Sequence, residues 1–259
     1  MRPPLSKIAQ WAQAVSSKEE LAQLRHALAQ DDRKGVPREL DKAQRRLERQ
    51  AQEDERLAGL YRFEADILAS RAARVAVGLD EVGRGPIAGP LAVGAVVLDP
   101  SADPIERLDD SKKLSPQVRE AVAGQIKASC VAWSVVYASP RQIDERGIMA
   151  CLIEAFSGAI EDIERQGVSP DAFLLDGNPL HLDQREVNVV KGDARCASIA
   201  AASVVAKVER DRLMDELDEA HPGYGFSSNK GYGSESHIAA IRELGLSTVH
   251  RASFCTNFL

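Results

Sequence analysis

A chain of 259 residues, 44 % hydrophobic and 28 % charged, has room for one α/β domain with an appendage, or for two small domains. Its 33 basic and 39 acidic residues give a formal charge of −6, so any nucleic-acid surface must be a local patch and not the chain as a whole. No apolar run reaches the ~18 residues that read as a membrane span, and Met1-Arg2-Pro3-Pro4-Leu5-Ser6-Lys7 lacks the apolar core of a signal peptide.

The cytoplasm is the expected location. Cys130, Cys151, Cys196 and Cys255 form no C-x-x-C pair, and the histidines are too scattered for a zinc site. Buried free thiols are expected. A cluster of acids that binds divalent cations would also fit the negative balance, since it stops repelling a polyanion once loaded.

Residues 1–72 are charge-dense, with apolar residues at helical spacing: Ile8, Trp11 and Val15, then Leu21, Leu24 and Leu28. Ser17 with Glu20 predicts a capping box at the start of a second helix. After Gly35-Val36-Pro37 a longer helix runs through Leu40, Leu47, Leu57 and Leu60. This segment is expected to be a helical N-terminal extension, and its basic cluster is interleaved with acids.

From Arg74 the texture changes. Short apolar runs at 75–79, 91–98 and 130–137 predict three strands, which pair best as antiparallel neighbours. Ser115-Pro116 predicts a helix start, with Ser as N-cap and Pro at the first position. A single long helix is expected over 143–165. Strands follow at 173–175 and 187–190, then helices at about 194–219 and 234–244. Three strands followed by strands alternating with helices predict an α/β fold, a mixed sheet flanked by helices over residues 73–259.

Three short segments carry chemistry. Gly78-Leu79-Asp80-Glu81-Val82-Gly83-Arg84-Gly85-Pro86 puts two adjacent carboxylates at the end of a buried strand. Side chains alternate across a strand, so both acids are expected just past its exit, where the chain can turn them into one cavity. Gly83 and Gly85 permit close backbone approach to a ligand, and the Arg84 fork suits phosphate. A dinucleotide-binding loop is the competing reading. It needs a helix at this point, whereas Pro86 and Pro90 lead into a Val-rich strand.

Leu174-Leu175-Asp176-Gly177 ends a second apolar run with an acid, although Asp before Gly is also ordinary turn chemistry. Lys191-Gly192-Asp193-Ala194 precedes a long apolar helix, where Asp193 has the look of an N-cap. In α/β sheets strand ends and helix starts converge on one edge, where ligands bind. Four carboxylates without His or Cys make a hard, oxygen-only donor set suited to Mg²⁺ or Mn²⁺. A pair of such ions is the chemistry of phosphodiester hydrolysis.

With these motifs in place, the chain resembles bacterial ribonuclease HII over residues 74–254. The resemblance rests on Asp80-Glu81-Val82-Gly83-Arg84-Gly85, Asp110-Ser111-Lys112-Lys113-Leu114-Ser115, Leu175-Asp176-Gly177 and Lys191-Gly192-Asp193. It continues through Ser203-Val204-Val205-Ala206-Lys207-Val208-Glu209-Arg210-Asp211, Asn229-Lys230-Gly231-Tyr232-Gly233 and His250-Arg251-Ala252-Ser253-Phe254.

The resemblance implies a ribonuclease H-like fold and hydrolysis on the 5′ side of ribonucleotides. The implied substrates are RNA–DNA hybrids and DNA duplexes with an embedded ribonucleotide, cut to 3′-hydroxyl and 5′-phosphate ends. It implies Asp80, Glu81, Asp176 and Asp193 as metal-binding catalytic acids in a two-metal site. Gly83, Arg84 and Gly85 would contact the ribose 2′-hydroxyl, which distinguishes RNA from DNA. Tyr232 would stack on the next sugar, and Lys112 would lie near the substrate backbone. Taken from the residues alone, Lys112 also reads as a surface charge and Tyr232 as a loop anchor. His221, His237 and His250 read as structural or surface residues.

Two other readings compete. The related ribonuclease HIII carries a β-rich N-terminal domain, against the helical pattern here. A non-catalytic binding module on the same fold would have little use for four uncompensated acids.

Overall fold

The computed structural model describes residues 2–257. They fall into two compact units, with the boundary between Ala58 and Gly59.

The first unit is helical. Helices α1 (Leu5–Ala14) and α2 (Lys18–Ala27) precede α3 (Gly35–Ser70), whose last turns belong to the second unit. Ile8, Ala12, Leu21, Leu28, Leu40 and Leu47 form its core, as the helical spacing predicts. Ser17 caps α2 by accepting the Glu20 N–H at 3.1 Å, but the Glu20 carboxylate returns to the Ser16 N–H at 2.7 Å and not to Ser17.

The second unit is built on a mixed five-stranded sheet in the order β3-β2-β1-β4-β5. Its strands are β1 (Ala76–Val82), β2 (Leu91–Val97), β3 (Ala132–Ala138), β4 (Ala172–Asp176) and β5 (Glu186–Val189). The pairs β1–β2 and β2–β3 are antiparallel, while β1–β4 and β4–β5 are parallel.

Helices α4 (Pro116–Ser129), α5 (Pro140–Arg146), α6 (Ile148–Arg165), α7 (Ala197–Ala220), α8 (Phe226–Asn229) and α9 (Glu235–Leu244) complete it. The Ser115-Pro116 start of α4 forms as expected, with Ser115 accepting the Val118 N–H. Among the described residues no helix is long and apolar enough to cross a membrane. All four cysteines are free thiols, three of them buried.

The predicted 143–165 helix is two helices. Gly147, at φ 80°, ends α5 and starts α6, and the real start of α5 is a Ser139/Gln142 capping box at Pro140. The apolar pattern alone runs through this break, because Ile143, Cys151 and Leu152 all face one core.

One sheet face carries Val77, Leu79, Val93, Phe173 and Leu175 against α6. The other packs on α7, whose first ten residues, Ala197–Ala206, are all buried. The approach is close because two strand positions lack side chains. A Cβ at Gly78 would lie 2.1 Å from the Ser198 carbonyl carbon, and one at Gly94 would lie 2.5 Å from the Ala202 oxygen. Gly78→Ala is therefore expected to push α7 off the sheet at a cost of about 3 kcal/mol, at the upper end for overpacked cores. Urea denaturation checks this, and a loss below about 0.5 kcal/mol would mean that the interface yields freely.

A candidate active site at one edge of the sheet

Asp80 and Glu81 lie inside β1, not past its exit. The strand pairs with β2 as far as Val82↔Ala92, but its pairing with β4 stops at Leu79↔Leu175. From Asp80 onward β1 is held on one side only, which opens the edge next to β4. By alternation Asp80 shares the α7 face with Gly78, and Glu81 points the other way. Asp176 ends β4, so the strand ends deliver three of the four acids to this edge.

The fourth, Asp193, sits in a 3₁₀ turn (Gly192–Ala194) just before α7. It is not the cap of that helix. The capping position falls on Cys196, which supplies no side-chain cap. Asp193 is left to face the other acids, and the turn is tied to them by the Gly192 N–H, which donates to Asp176 Oδ1 at 2.6 Å.

Burial and mutual repulsion dominate the electrostatics. Asp80 is only 6 % exposed. Burial, then the charges of Glu81, Asp176 and Asp193, raise its carboxyl well above the usual range, against a hydrogen bond from Ser203. Glu81 is raised by burial and by Asp176, with Arg84 opposing. Asp176 is raised by burial and by Asp193, with the Gly192 N–H opposing. Ser203 Oγ also lies 3.0 Å from Ser111 Oγ, and both are buried. This contact anchors the loop carrying Lys112 to α7.

The Lys112 ammonium is 3.4 Å from Asp193 Oδ2. Burial lowers its pKa, but Asp193, Asp110 and Asp80 outweigh that and leave it raised. Arg84 lies 3.6 Å from Glu81. Among the described residues no three His, Cys, Asp or Glu side chains form a ready-made metal cage. The donor chemistry, an oxygen-only set of carboxylates, still fits a hard divalent cation.

The segment 83–90 beside the acids is held from below by two fully buried arginines. Arg210 donates to the carbonyls of Pro90, Lys230 and Ala88 at 2.9, 3.0 and 3.4 Å. Arg251 donates to those of Gly89, Arg84 and Gly83 at 3.0, 3.1 and 2.7 Å. Gly83, at φ +85°, leaves no room for a side chain, since a Cβ there would lie 2.2 Å from Arg210 Nε.

Tyr232 is half exposed and its ring edge is 3.9 Å from where a Gly85 Cβ would stand. The Gly231 carbonyl accepts the Ile87 and Ala88 N–H groups at 2.9 and 3.1 Å, joining the two loops. The structure thus brings Gly83, Arg84, Gly85 and Tyr232 together next to Asp80 and Glu81, with Lys112 on the Asp193 side. An apolar cavity of about 640 Å³, lined by Leu68, Val75, Val97 and Val168, lies at the opposite strand ends, away from the four acids.

Residues 77–257 match the family model described as ribonuclease HII, and residues 5–68 match that of the ribonuclease HII N-terminal domain. The chain belongs to the ribonuclease HII family. It is 44 % identical to ribonuclease HII of Lachnoclostridium phytofermentans over 88 % of this chain and 87 % of that one. It is 41 % identical to ribonuclease HII of Geobacillus kaustophilus over 88 % and 85 %.

Among solved structures it is similar to ribonuclease H2 of Pyrococcus horikoshii (TM-score 0.59, 25 % identity, covering 71 % of this chain and 97 % of that one). It is also similar to RNase HII of Archaeoglobus fulgidus, solved in complex with PCNA (TM-score 0.57, 30 % identity, 69 % and 94 %). The fold is ribonuclease H-like, and the chain is a ribonuclease H endonuclease, a hydrolase.

Three features of the site are not legible in the sequence. Arg210 and Arg251 carried no recognisable role, because a buried arginine bonded to carbonyls leaves no local pattern. Glu64, which bonds the start of α7 from the last turns of α3, is the second. The third feature is the pairing behind Tyr232 of His237 and His250, which are buried in the structural role expected of them. The Ser247 N–H donates to His250 Nδ1 at 3.0 Å, so His250 carries its proton on Nε2. That proton is donated to His237 Nε2 at 3.0 Å, and His237 Nδ1–H donates to the Tyr232 carbonyl at 2.8 Å. The relay needs both rings neutral.

Burial and the neighbouring His237 bring His250 down to about 4, and burial lowers His237 as well. Above pH ~6.5 both states of the chain hold these rings neutral. As pH falls from there toward 4, the unfolded chain takes protons that the folded one refuses. Stability is then expected to drop by about 3 kcal/mol from His250 alone. Urea midpoints from pH 7 to 4 check this, and His250→Asn should flatten the slope; an equally steep variant would clear the histidines.

Proposed function

We propose that this chain cuts on the 5′ side of ribonucleotides, both in RNA–DNA hybrids and at single ribonucleotides embedded in duplex DNA. The products would carry 3′-hydroxyl and 5′-phosphate ends, and the role would be ribonucleotide removal in cytoplasmic DNA repair. Residues 73–259 are read as the catalytic domain and 1–72 as its helical extension. The observation that carries the reading is the placement of the Gly83-Arg84-Gly85 backbone and the exposed Tyr232 ring side by side at the edge of the acid cluster.

Asp80, Glu81, Asp176 and Asp193 would hold divalent cations, Mn²⁺ or Mg²⁺, in a two-metal site. When bound, such ions supply Lewis-acid stabilisation of the phosphodiester and an acidified water. The chain's own residues do the rest. The four acids, which repel one another and any phosphate, make cleavage depend on cation loading. Arg84 and Lys112 orient the substrate backbone. The backbone of Gly83 and Gly85 meets the 2′-hydroxyl of one nucleotide. Tyr232 presents a flat ring to the next sugar, which only deoxyribose fits closely.

The test is a labelled duplex with one ribonucleotide, run beside an RNA–DNA hybrid with Mg²⁺ or Mn²⁺ and again with excess chelator. A single cut 5′ to the ribonucleotide, lost on chelation, is the expected result. Cleavage of the hybrid alone would refute the single-nucleotide reading, and cleavage surviving chelation would refute the metal site.

A further inference from the structure

The start of α7 is a helix end with nothing local to cap it. Cys196 holds the capping position and makes no side-chain cap bond. Cys196, Ala197, Ser198 and Ile199 are fully buried, so water cannot satisfy the first N–H groups of this helix, as it would at an exposed end. The partner comes from far away in sequence. Glu64, on the last turns of α3, accepts the Ser198 N–H on Oε2 at 2.7 Å and the Cys196 thiol at 3.2 Å.

Its neighbours clamp the same spot. Phe63, Ile67 and Leu68 pack on the cluster containing Cys196, Ile199 and Leu174. The Arg195 guanidinium lies over the Phe63 ring at 4.3 Å. The turn carrying Asp193 therefore has two anchors. Asp176 holds it from the sheet side through the Gly192 N–H, and Glu64 holds it from the helix side. The turn and the helix share one frame, because the Cys196 N–H donates to the Gly192 carbonyl at 2.8 Å.

We propose that Glu64 is a positioning residue: it caps α7 from the last turns of α3 and thereby fixes Asp193 in the acid cluster. An anion at this point also opposes the positive end of a long helix dipole. The last turns of α3, residues 59–70, on this account support the turn that carries Asp193 and are not a tether. The proposal rests on the reading of Asp193 as a metal-binding acid.

The experiment compares the full chain with Glu64→Ala and Glu64→Gln. Three measurements are made: kcat and KM on the single-ribonucleotide duplex, Mn²⁺ affinity by calorimetry without substrate, and hydrogen exchange of the 196–199 amides. The Gln side-chain oxygen can still accept the Ser198 N–H, so Glu64→Gln should stay within about threefold of the parent in kcat. Glu64→Ala should lose about 10- to 100-fold in kcat and in Mn²⁺ affinity, the range for groups that orient metal ligands. KM should barely move, and the 196–199 amides should exchange faster.

Parent-like kcat and Mn²⁺ affinity in Glu64→Ala would overturn the proposal, even with a lowered melting temperature, since Glu64 would then be a stability residue alone. Should Glu64→Ala not fold, Glu64→Gln decides: a loss in it as large as about 10-fold would also overturn the cap. A parent that cleaves neither duplex would instead sink the functional reading, while faster 196–199 exchange in Glu64→Ala would still support the capping step.

Discussion

Asp80→Asn is expected to lower kcat by about 1000-fold or more while raising the melting temperature of the metal-free chain. The two effects have one cause. Asp80 is almost fully buried among Glu81, Asp176 and Asp193, and its carboxyl is raised well above the usual range by burial and by those charges. A raised carboxyl favours the neutral form in the folded state, so at neutral pH the ionised group works against folding. Asn keeps the shape and an oxygen to accept the Glu81 N–H, which Asp80 Oδ1 takes at 2.9 Å. It removes the charge that a divalent cation needs.

Each ~1 kcal/mol relieved corresponds to roughly 2–4 °C at this chain length. Mn²⁺ should then stabilise the parent more than the variant, because only a ligand that binds the folded state raises its melting point. Thermal melts with and without Mn²⁺ and a gel assay make the check. A variant that melts lower and still cleaves would dissociate Asp80 from the chemistry.

Much of this site is visible in the one-dimensional pattern, for local reasons. Asp80 and Asp176 end apolar runs and Asp193 precedes one, and apolar runs are what burial in the sheet and in α7 requires. Glycines and prolines punctuate the 83–90 segment, so its failure to become a helix is legible too. What stayed hidden depends on partners distant in the chain. That Asp80 and Glu81 lie within β1 follows from its register with Gly94 and Val93, which no local propensity encodes.

Asp193 has the sequence of an N-cap, yet the helix starts later and is capped by a residue 134 positions from Ser198. The His237–His250 relay closes across a loop, and each histidine by itself looks like an ordinary buried ring. Gly147 breaks a helix whose apolar stripe continues on both sides. In each case the missing information was tertiary, a pairing that the pattern permits without specifying.

Arg251 is the second position where a large effect is expected, and there stability and activity separate by substitution. Its guanidinium is fully buried and bonded to three backbone carbonyls of the 83–89 segment. Burial and the nearby Arg210 bring its pKa down to about 10, so it remains charged at neutral pH. Arg251→Ala deletes three donors at once. Each buried carbonyl left unpaired costs about 1–3 kcal/mol, and relief from burying the charge offsets part of that. The net loss is expected at about 3–5 kcal/mol, a large share of the stability of an ordinary domain.

Arg251→Lys is the more informative change. A single ammonium keeps the charge but cannot match a planar fork aimed at Gly83, Arg84 and Gly89. The chain should fold with the segment shifted, and a misplacement of about 1 Å at a substrate-contacting backbone is worth about 100-fold in kcat/KM. Mn²⁺ affinity should hold, because none of the four acids touches this arginine. Kinetics on the single-ribonucleotide duplex, with calorimetry beside them, separate the cases. Intact kcat/KM in the lysine variant would mean that the loop keeps its shape without the fork. Lost Mn²⁺ affinity would mean that Arg251 supports the acid cluster and not the nucleotide-reading backbone.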